Sequence, residues 1–167
     1  MPELPDAVVY ERRVADGALG RTIAGTTVVD PLILGDDLDP HRFDEVLRGR
    51  TLTETHRHGK HVFARYGDET GWLALHFGMT GSVQALPDGE MPEYAYVQFH
   101  FEEGGGLAFE CPRKFARVRL IDTPDAFVEA KDLGPDARRA DVETFLEPFA
   151  ARRGTIKGRL LDQSVVA

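Results

Sequence analysis

The sequence predicts a mainly β protein: about eight antiparallel strands in a sandwich or flattened barrel, with one helix at the N-terminus and others flanking the sheets. Three observations carry this expectation. From residue 51 onward, apolar and polar residues alternate with the period of two that half-buried strands require. Turn-forming clusters (YGDETG, LPDGEMPE, EEGGG) interrupt the alternation and leave only short connections. Both ends of the chain carry helical signals instead.

The opening MPELPDAV places Pro5 in a first helical turn, where its missing N–H would be unpaired anyway, and Asp6 adds favourable charge at that end. With Leu4, Val8, Ala15 and Leu19 at helical spacing, a helix is expected from about residue 5 to 16, ending near Gly17 and Gly20. TIAGTTVVD (22–30) reads as a strand. PHRFDEVL (40–47) reads as a short helix with Phe43, Val46 and Leu47 inward. TLTETHRH, KHVFARY, GWLALHFGM, SVQALP, YAYVQFHFEE, GLAFECP and RVRLID supply the other strands. The clearest alternation sets Val97, Phe99 and Phe101 on one face and Gln98, His100 and Glu102 on the other. After Leu133 the chain reads as a loop and a helix of roughly 141–150. TIKGRLLDQSVVA then begins another helix, whose apolar stripe of Ile156, Leu160 and Leu161 is still running where the sequence stops, without a cap or a folded-back partner.

The 42% hydrophobic and 29% charged composition describes a globular chain and excludes disorder and fibre. No long apolar run or signal-peptide pattern occurs, which places the protein in the cytoplasm. The single cysteine, Cys111, excludes an internal disulfide, and the histidines lack zinc-finger spacing, so no structural metal is called for. A formal charge of −8 is unusual for a protein that grips duplex DNA. Its distribution is uneven, however. Basic residues concentrate at 48–61, 113–119 and 152–159, and acidic ones at 36–45 and 122–147, which sets up two different faces.

Four short stretches carry chemistry. A small second residue permits removal of Met1, leaving Pro2 with a secondary amine that is a nucleophile toward an aldehyde-level carbon. Glu3, one residue away, supplies the proton that a leaving oxygen needs. In RHGKH (57–61), Gly59 permits a tight turn and Lys60 offers a point charge to a phosphate. HFGMTG (76–81) sets Met79 between glycines at the end of an apolar strand, as an exposed loop tip. In CPRKFARVR (111–119), Arg113 and Phe115 are two residues apart and would project together from an extended segment. Such a pair, with a methionine nearby, suits a gap in a base stack: apolar groups wedge between bases while the guanidinium bonds a base edge.

Each stretch alone is unspecific, and a solvated basic edge or a core methionine is the commoner fate of such residues. In series, MPELP, RHGKH, HFGMTG, PRKF, LGPD (133–136) and TIKGRLLDQSVVA resemble the N-terminal domain of the formamidopyrimidine-DNA glycosylase family. These are bacterial repair enzymes that share ancestry with endonuclease VIII. The resemblance implies a two-layer antiparallel β-sandwich and a bifunctional glycosylase and AP-lyase, monomeric, acting on damaged double-stranded DNA that carries oxidised purines (8-oxoguanine, formamidopyrimidines). It implies catalytic roles for Pro2, Glu3 and Lys60, and DNA contacts by Met79, Arg113 and Phe115, with Tyr94 and Asp6 as further contacts. It divides the chain into a catalytic sandwich at 1–133, a linker and helix at 134–154, and at 155–167 the first helix of a truncated helical DNA-binding module. Family enzymes continue into a helix–two-turn–helix module and a C-terminal zinc finger; no cofactor is expected in this chain.

The departures from the family pattern are specific. PELPDAV replaces PELPEVE, so Asp6 is one methylene shorter than the usual glutamate and Val8 replaces an acid. Cys111 stands for an acidic residue, Lys114 for the second arginine, and Ala116 for a glycine. Tyr94 lies where a phosphate-touching histidine is common. The alternatives are a non-catalytic DNA-binding or interaction module or an inactive fragment and, among enzymes, an endonuclease VIII-like preference for oxidised pyrimidines.

Overall fold

The alternation beyond residue 51 forms seven strands, and the stretch before it an eighth. The computed structural model describes residues 2–35, 38–67, 71–88, 90, 92–151 and 154–167; Met1, Arg152, Arg153 and parts of the 36–45, YGDETG and LPDGEMPE clusters lie outside the described residues. The strands are β1 (Ile23–Val28), β2 (Leu52–His58), β3 (His61–Tyr66), β4 (Trp72–His76), β5 (Ser82–Leu86), β6 (Ala95–Phe101), β7 (Gly106–Glu110) and β8 (Arg117–Ile121). They form two antiparallel four-stranded sheets, in the orders β1-β6-β7-β5 and β2-β3-β4-β8. This is the two-layer sandwich with flanking helices that the sequence predicts. Val62, Leu73, Leu75, Val97, Phe99 and Phe109 meet between the sheets.

The helices close the open sides of this core. α1 (Leu4–Ala18) packs against β2, β3, β5 and β7. Its buried stripe is Ala7, Val14 and Ala18 rather than the expected Leu4, Val8, Ala15 and Leu19, and Leu19 is 37% exposed. Small side chains let the helix axis approach the sheets, and Tyr10 fills the remaining space with its ring centroid 4.4 Å from that of Phe77. α2 (Pro40–Leu47) inserts Phe43 and Leu47, with Val46 half-buried, and Asp39 caps its first turn. α3 (Pro124–Ala130), a helix the strand pattern does not predict, starts at the cap Thr123 and lays Phe127 over Phe63 and Trp72 on the outer face of the second sheet. Gln98, expected on a solvated face, is 1% exposed because β6 lies inside its sheet.

α4 (Val142–Ala151) matches the helix expected at 141–150. The helix expected to run on from residue 155 does not. α5 spans only Ile156–Leu160, and the chain then turns back. Gly134 N–H donates to Gln163 O (2.8 Å), Ala137 N–H to Ala167 O (2.8 Å) and Ala167 N–H to Pro135 O (3.0 Å). Val165, Val166 and Ala167 are buried in consequence. The apolar stripe of Ile156, Leu160 and Leu161 points mostly to solvent, so helical spacing there did not report a buried face. Among the described residues no helix is long and apolar enough to cross a membrane.

α3 also encloses an ionisable ring. His61 is 7% exposed, stacked on His76 at 5.1 Å and edge-on to Phe127 at 5.2 Å. Burial, then the neighbouring His76, His58 and Lys131, depress its pKa to about 3. His76 is depressed for the same first reason and by Arg117, Lys131, Lys60 and Arg119. An unfolded imidazole titrates near ~6.5, so below that pH the unfolded chain binds a proton that the native ring refuses. Stability is therefore full above pH ~6.5 and falls as acid is added, by about 1.4 kcal/mol per pH unit for His61, with His76 acting in the same direction. His61→Phe keeps the ring packing and removes one of these protons. Denaturant titrations at pH 6.5 and 5 are expected to show a smaller acid loss for the variant; equal losses would mean that His61 is not held neutral.

Candidate active site

The chain start is fixed by its own first helix. Glu3 precedes α1 in an extended conformation, and its N–H donates to Asp6 Oδ2 at 2.7 Å. Asp6 thus secures the N-terminal turn, an internal use for the residue that the resemblance assigns to DNA. Its short side chain suits this, since an acid three residues beyond an N-cap bonds back to the cap's N–H.

Across from Glu3 lies the β2–β3 hairpin. His58 pairs with His61, leaving Gly59 and Lys60 as a two-residue loop. Gly59 has φ +54, the positive angle that a type II′ hairpin demands of its first loop residue. A Cβ there would also lie 2.8 Å from that of Ala167.

A buried ion pair holds this loop from behind. Arg57, 3% exposed, donates from Nη2 to Asp136 Oδ1 (2.9 Å) and from Nη1 to the Gly59 carbonyl (2.7 Å). Its Nη1 also lies 2.6 Å from Asp136 Oδ2, which accepts from Gly59 N–H at 2.8 Å. Arg138 N–H reaches Asp136 Oδ1 at 2.9 Å, and His58 Nε2 meets the Gly134 carbonyl at 2.8 Å. Burial alone would raise the Asp136 pKa, but the bonds from Arg57, Gly59 and Arg138 outweigh it and hold the carboxyl below its usual range. RHGKH and LGPD, 79 residues apart at Arg57 and Asp136, are therefore two halves of one clamp. The sequence marks both stretches and gives no sign that they touch.

The clamp presents Lys60 so that its Nζ lies 2.6 Å from Glu3 Oε2. Pro2, Glu3 and Lys60 line one cleft of about 590 Å³ together with His76, Met79, Phe115 and Gln163. Gly78, φ +58, sets the opposite rim: a Cβ there would sit 2.5 Å from the Phe115 carbonyl carbon, so the HFGMTG turn lies directly on the Phe115 backbone. Met79 (40% exposed) and Phe115 (53%) are brought to that rim together.

The CPRKF segment is not extended as expected. It is a turn in which Lys114 has φ +55, its N–H donating to Cys111 O at 2.9 Å. Buried Cys111 accepts from Ala116 N–H at 3.1 Å, so the residue in place of the family's acid closes the loop from inside. Lys114 Nζ donates to Asp30 Oδ2 at 2.8 Å. Arg113 and Phe115 still come together, the guanidinium carbon lying 5.6 Å from the ring centroid, although Arg113 is not among the residues lining the cleft. Tyr94 is not in the lining either. The neighbouring Glu93 raises the Tyr94 pKa. The sequence reading did not assign His76 or Gln163 to the site; His76 was legible only as a polar residue ending an apolar strand.

A two-layer sandwich whose own first residues form one wall of a cleft, opposite a hairpin lysine, is a distinctive class of site. Comparison with known proteins identifies the family: the profile of the formamidopyrimidine-DNA glycosylase N-terminal domain matches residues 1–118, and the chain belongs to that family. Formamidopyrimidine-DNA glycosylase of Streptococcus pneumoniae is 33% identical over 172 residues, covering all of this chain and 61% of the relative. The Arabidopsis thaliana protein is 30% identical over 183 residues, 47% of its length. The chain thus spans about half to three fifths of these relatives. Among solved structures, Fpg of Lactococcus lactis bound to N7-benzyl-Fapy-dG DNA superposes with a TM-score of 0.87 at 25% identity, over 99% of this chain and 62% of that one. A complex of LlFpg with THF-DNA and an inhibitor matches equally, with a TM-score of 0.87.

The clamp generates a stability prediction. Asp136→Ala leaves Arg57 buried without its partner and is expected to cost about 3–5 kcal/mol in denaturant unfolding. Arg57→Met with Asp136→Leu removes both charges and should recover most of that loss. A single-variant cost below ~1 kcal/mol would show that the pair does not hold the hairpin.

Proposed function

We propose that the chain carries the catalytic part of a base-excision repair glycosylase and AP-lyase for oxidised purines in double-stranded DNA. The observation that carries this reading is the 2.6 Å contact between Glu3 and Lys60 in the cleft that also holds Pro2. The relatives' names and the damaged DNA bound to the Lactococcus lactis structures support it. In this reading residues 1–133 are the catalytic sandwich, 134–154 a linker and helix, and 155–167 the start of a helical DNA-binding module. The protein acts as a cytoplasmic monomer and draws no cofactor from this chain, because nucleophile and acid are both its own groups.

Once Met1 is removed, the Pro2 nitrogen attacks C1′ of the damaged nucleotide; the base departs with the electrons of the glycosidic bond and takes a proton from water, while the proton that the Pro2 nitrogen releases passes to the Glu3 carboxylate. Glu3 gives its proton to the ring oxygen, the C1′–O bond opens, and C1′ becomes doubly bonded to nitrogen. Because that nitrogen is secondary, the resulting iminium is cationic without a further proton. It accepts the electron pair released when C2′ loses a proton, and the 3′ phosphate leaves. Lys60, held by the Arg57–Asp136 clamp, pairs with a substrate phosphate or the lesion in place of Glu3. The base must first leave the stack, at a cost of a few kcal/mol that is smallest for damaged pairs. Met79 and Phe115 at the rim, with Arg113 stacked beside Phe115, fill the void and offset part of that cost.

The test is reductive trapping. Protein lacking Met1 is mixed with abasic-site duplex and borohydride, and a covalent protein–DNA species is sought by mass. Wild type is expected to give one, Pro2→Gly little or none, and Glu3→Gln a slower yield. Absence of any adduct at low salt and high protein concentration would replace this reading with a non-catalytic DNA-binding module.

A further inference from the structure

Behind the catalytic cleft, the outer face of the second sheet holds another cavity, of about 260 Å³. At about 30 Å³ per water in the liquid, that is room for roughly eight waters, enough for a tetrahedral oxyanion. Its floor follows from strand register. His61 pairs with His76 and His76 with Arg117, giving one row across β3, β4 and β8, while Ala74 pairs with Arg119 in the next row. The small Ala74 side chain leaves the hollow, and Phe127 and Lys131 at the C-terminal end of α3 wall it.

The lining is cationic and holds no carboxylate: Arg117, Arg119 and Lys131 surround the two imidazoles, with Gln163 at one side. Among the described residues, the side chains of Arg119 and Lys131 make no hydrogen bond or ion pair. Arg117 spends only Nη1 on the carbonyls of Lys114 and Ala116. The inner wall is His61, 7% exposed, whose Nδ1 has no partner within the protein. Gln163 Oε1 is likewise buried and unpartnered. Burial first, and then Arg117, Lys131, Lys60 and Arg119, push the His76 pKa down. Three cations converging on a preformed hollow, in a chain of net charge −8, do not arise from a general basic surface.

We propose that this cavity binds a phosphate group, gripped by Arg117, Arg119 and Lys131 against the His61–His76 floor. Phosphate matches the lining better than a simple halide. Its oxygens accept from several converging donors, and a protonated oxygen satisfies Gln163 Oε1. The source is either a backbone phosphate of bound DNA or a free phosphate. His76 and Gln163 line both cavities, so occupancy here is felt one residue from the catalytic cleft.

The test titrates inorganic phosphate into the full chain at constant ionic strength, with chloride as the matched control, following the imidazole C–H resonances by NMR. Saturable shifts of His61 and His76 are expected with phosphate and not with chloride. Arg119→Ala with Lys131→Ala, both exposed and outside the core, should weaken binding at least about tenfold. Arg12→Ala with Lys157→Ala, the same charge change on other elements, should leave it unaltered. Shifts that never saturate, or equal affinity in both double variants, overturn the site. A duplex with a tetrahydrofuran abasic analogue then separates the sources. If it displaces phosphate from wild type, the cavity holds the DNA backbone; if both bind together, it takes a free anion.

Discussion

The buried pair of Arg57 and Asp136 is the constraint on which the rest of the arrangement depends. Two charges taken out of water are costly unless every lone pair and proton finds a partner, and this pair nearly achieves that. Asp136 accepts from Arg57, from Gly59 N–H and from Arg138 N–H, while Arg57 also reaches the Gly59 carbonyl. The geometry is therefore set at both ends. The hairpin loop has one conformation relative to residues 134–138, and those residues in turn bond the returning end of the chain. An apolar substitute would fill the volume but would not orient Gly59, and so would not point Lys60 at Glu3. The pair acts as a positioning device for a lysine that it does not touch.

Much of the sandwich was legible because a half-buried strand leaves a two-residue period that few other structures imitate. β6 shows it most plainly, while β3, β4 and β7 are buried over four consecutive residues and were marked instead by the turn clusters around them, and α2 follows from Pro40 and its three inward residues. Where the reading failed, tertiary packing overrode the local pattern. The buried stripe of α1 is made of alanines and Val14, which carry less weight in a periodicity count than Leu4 or Leu19. Gln98 is buried by its place within the sheet, which no single strand records. α3 was announced by Thr-Pro-Asp at its start, a cap signal hidden in a run read only as acidic.

The site was legible as a set of residues but not as an arrangement. Pro2, Glu3, Lys60, Met79 and Phe115 do line one cleft. The partnership of RHGKH with LGPD was not visible, because ion pairs across such a separation leave no local spacing. Asp6 and Tyr94 show the converse. The resemblance assigned both to DNA, whereas Asp6 caps the chain's first helix and Tyr94 lies outside the cleft lining. Charge behaves in the same way. The total is acidic, yet the cations that matter are gathered by strand register and by α3 into one hollow.

Cys111 gives the loop bearing Arg113 and Phe115 an unusual internal latch. Its sulfur is wholly enclosed and takes the Ala116 amide, so a thiol reagent in solution has no route to it while the turn keeps its shape. Alkylation therefore has to wait for the turn to open, and the chain has no other thiol to compete. The labelling rate of this single sulfur is thus a clock for the breathing of the segment that carries Arg113 and Phe115.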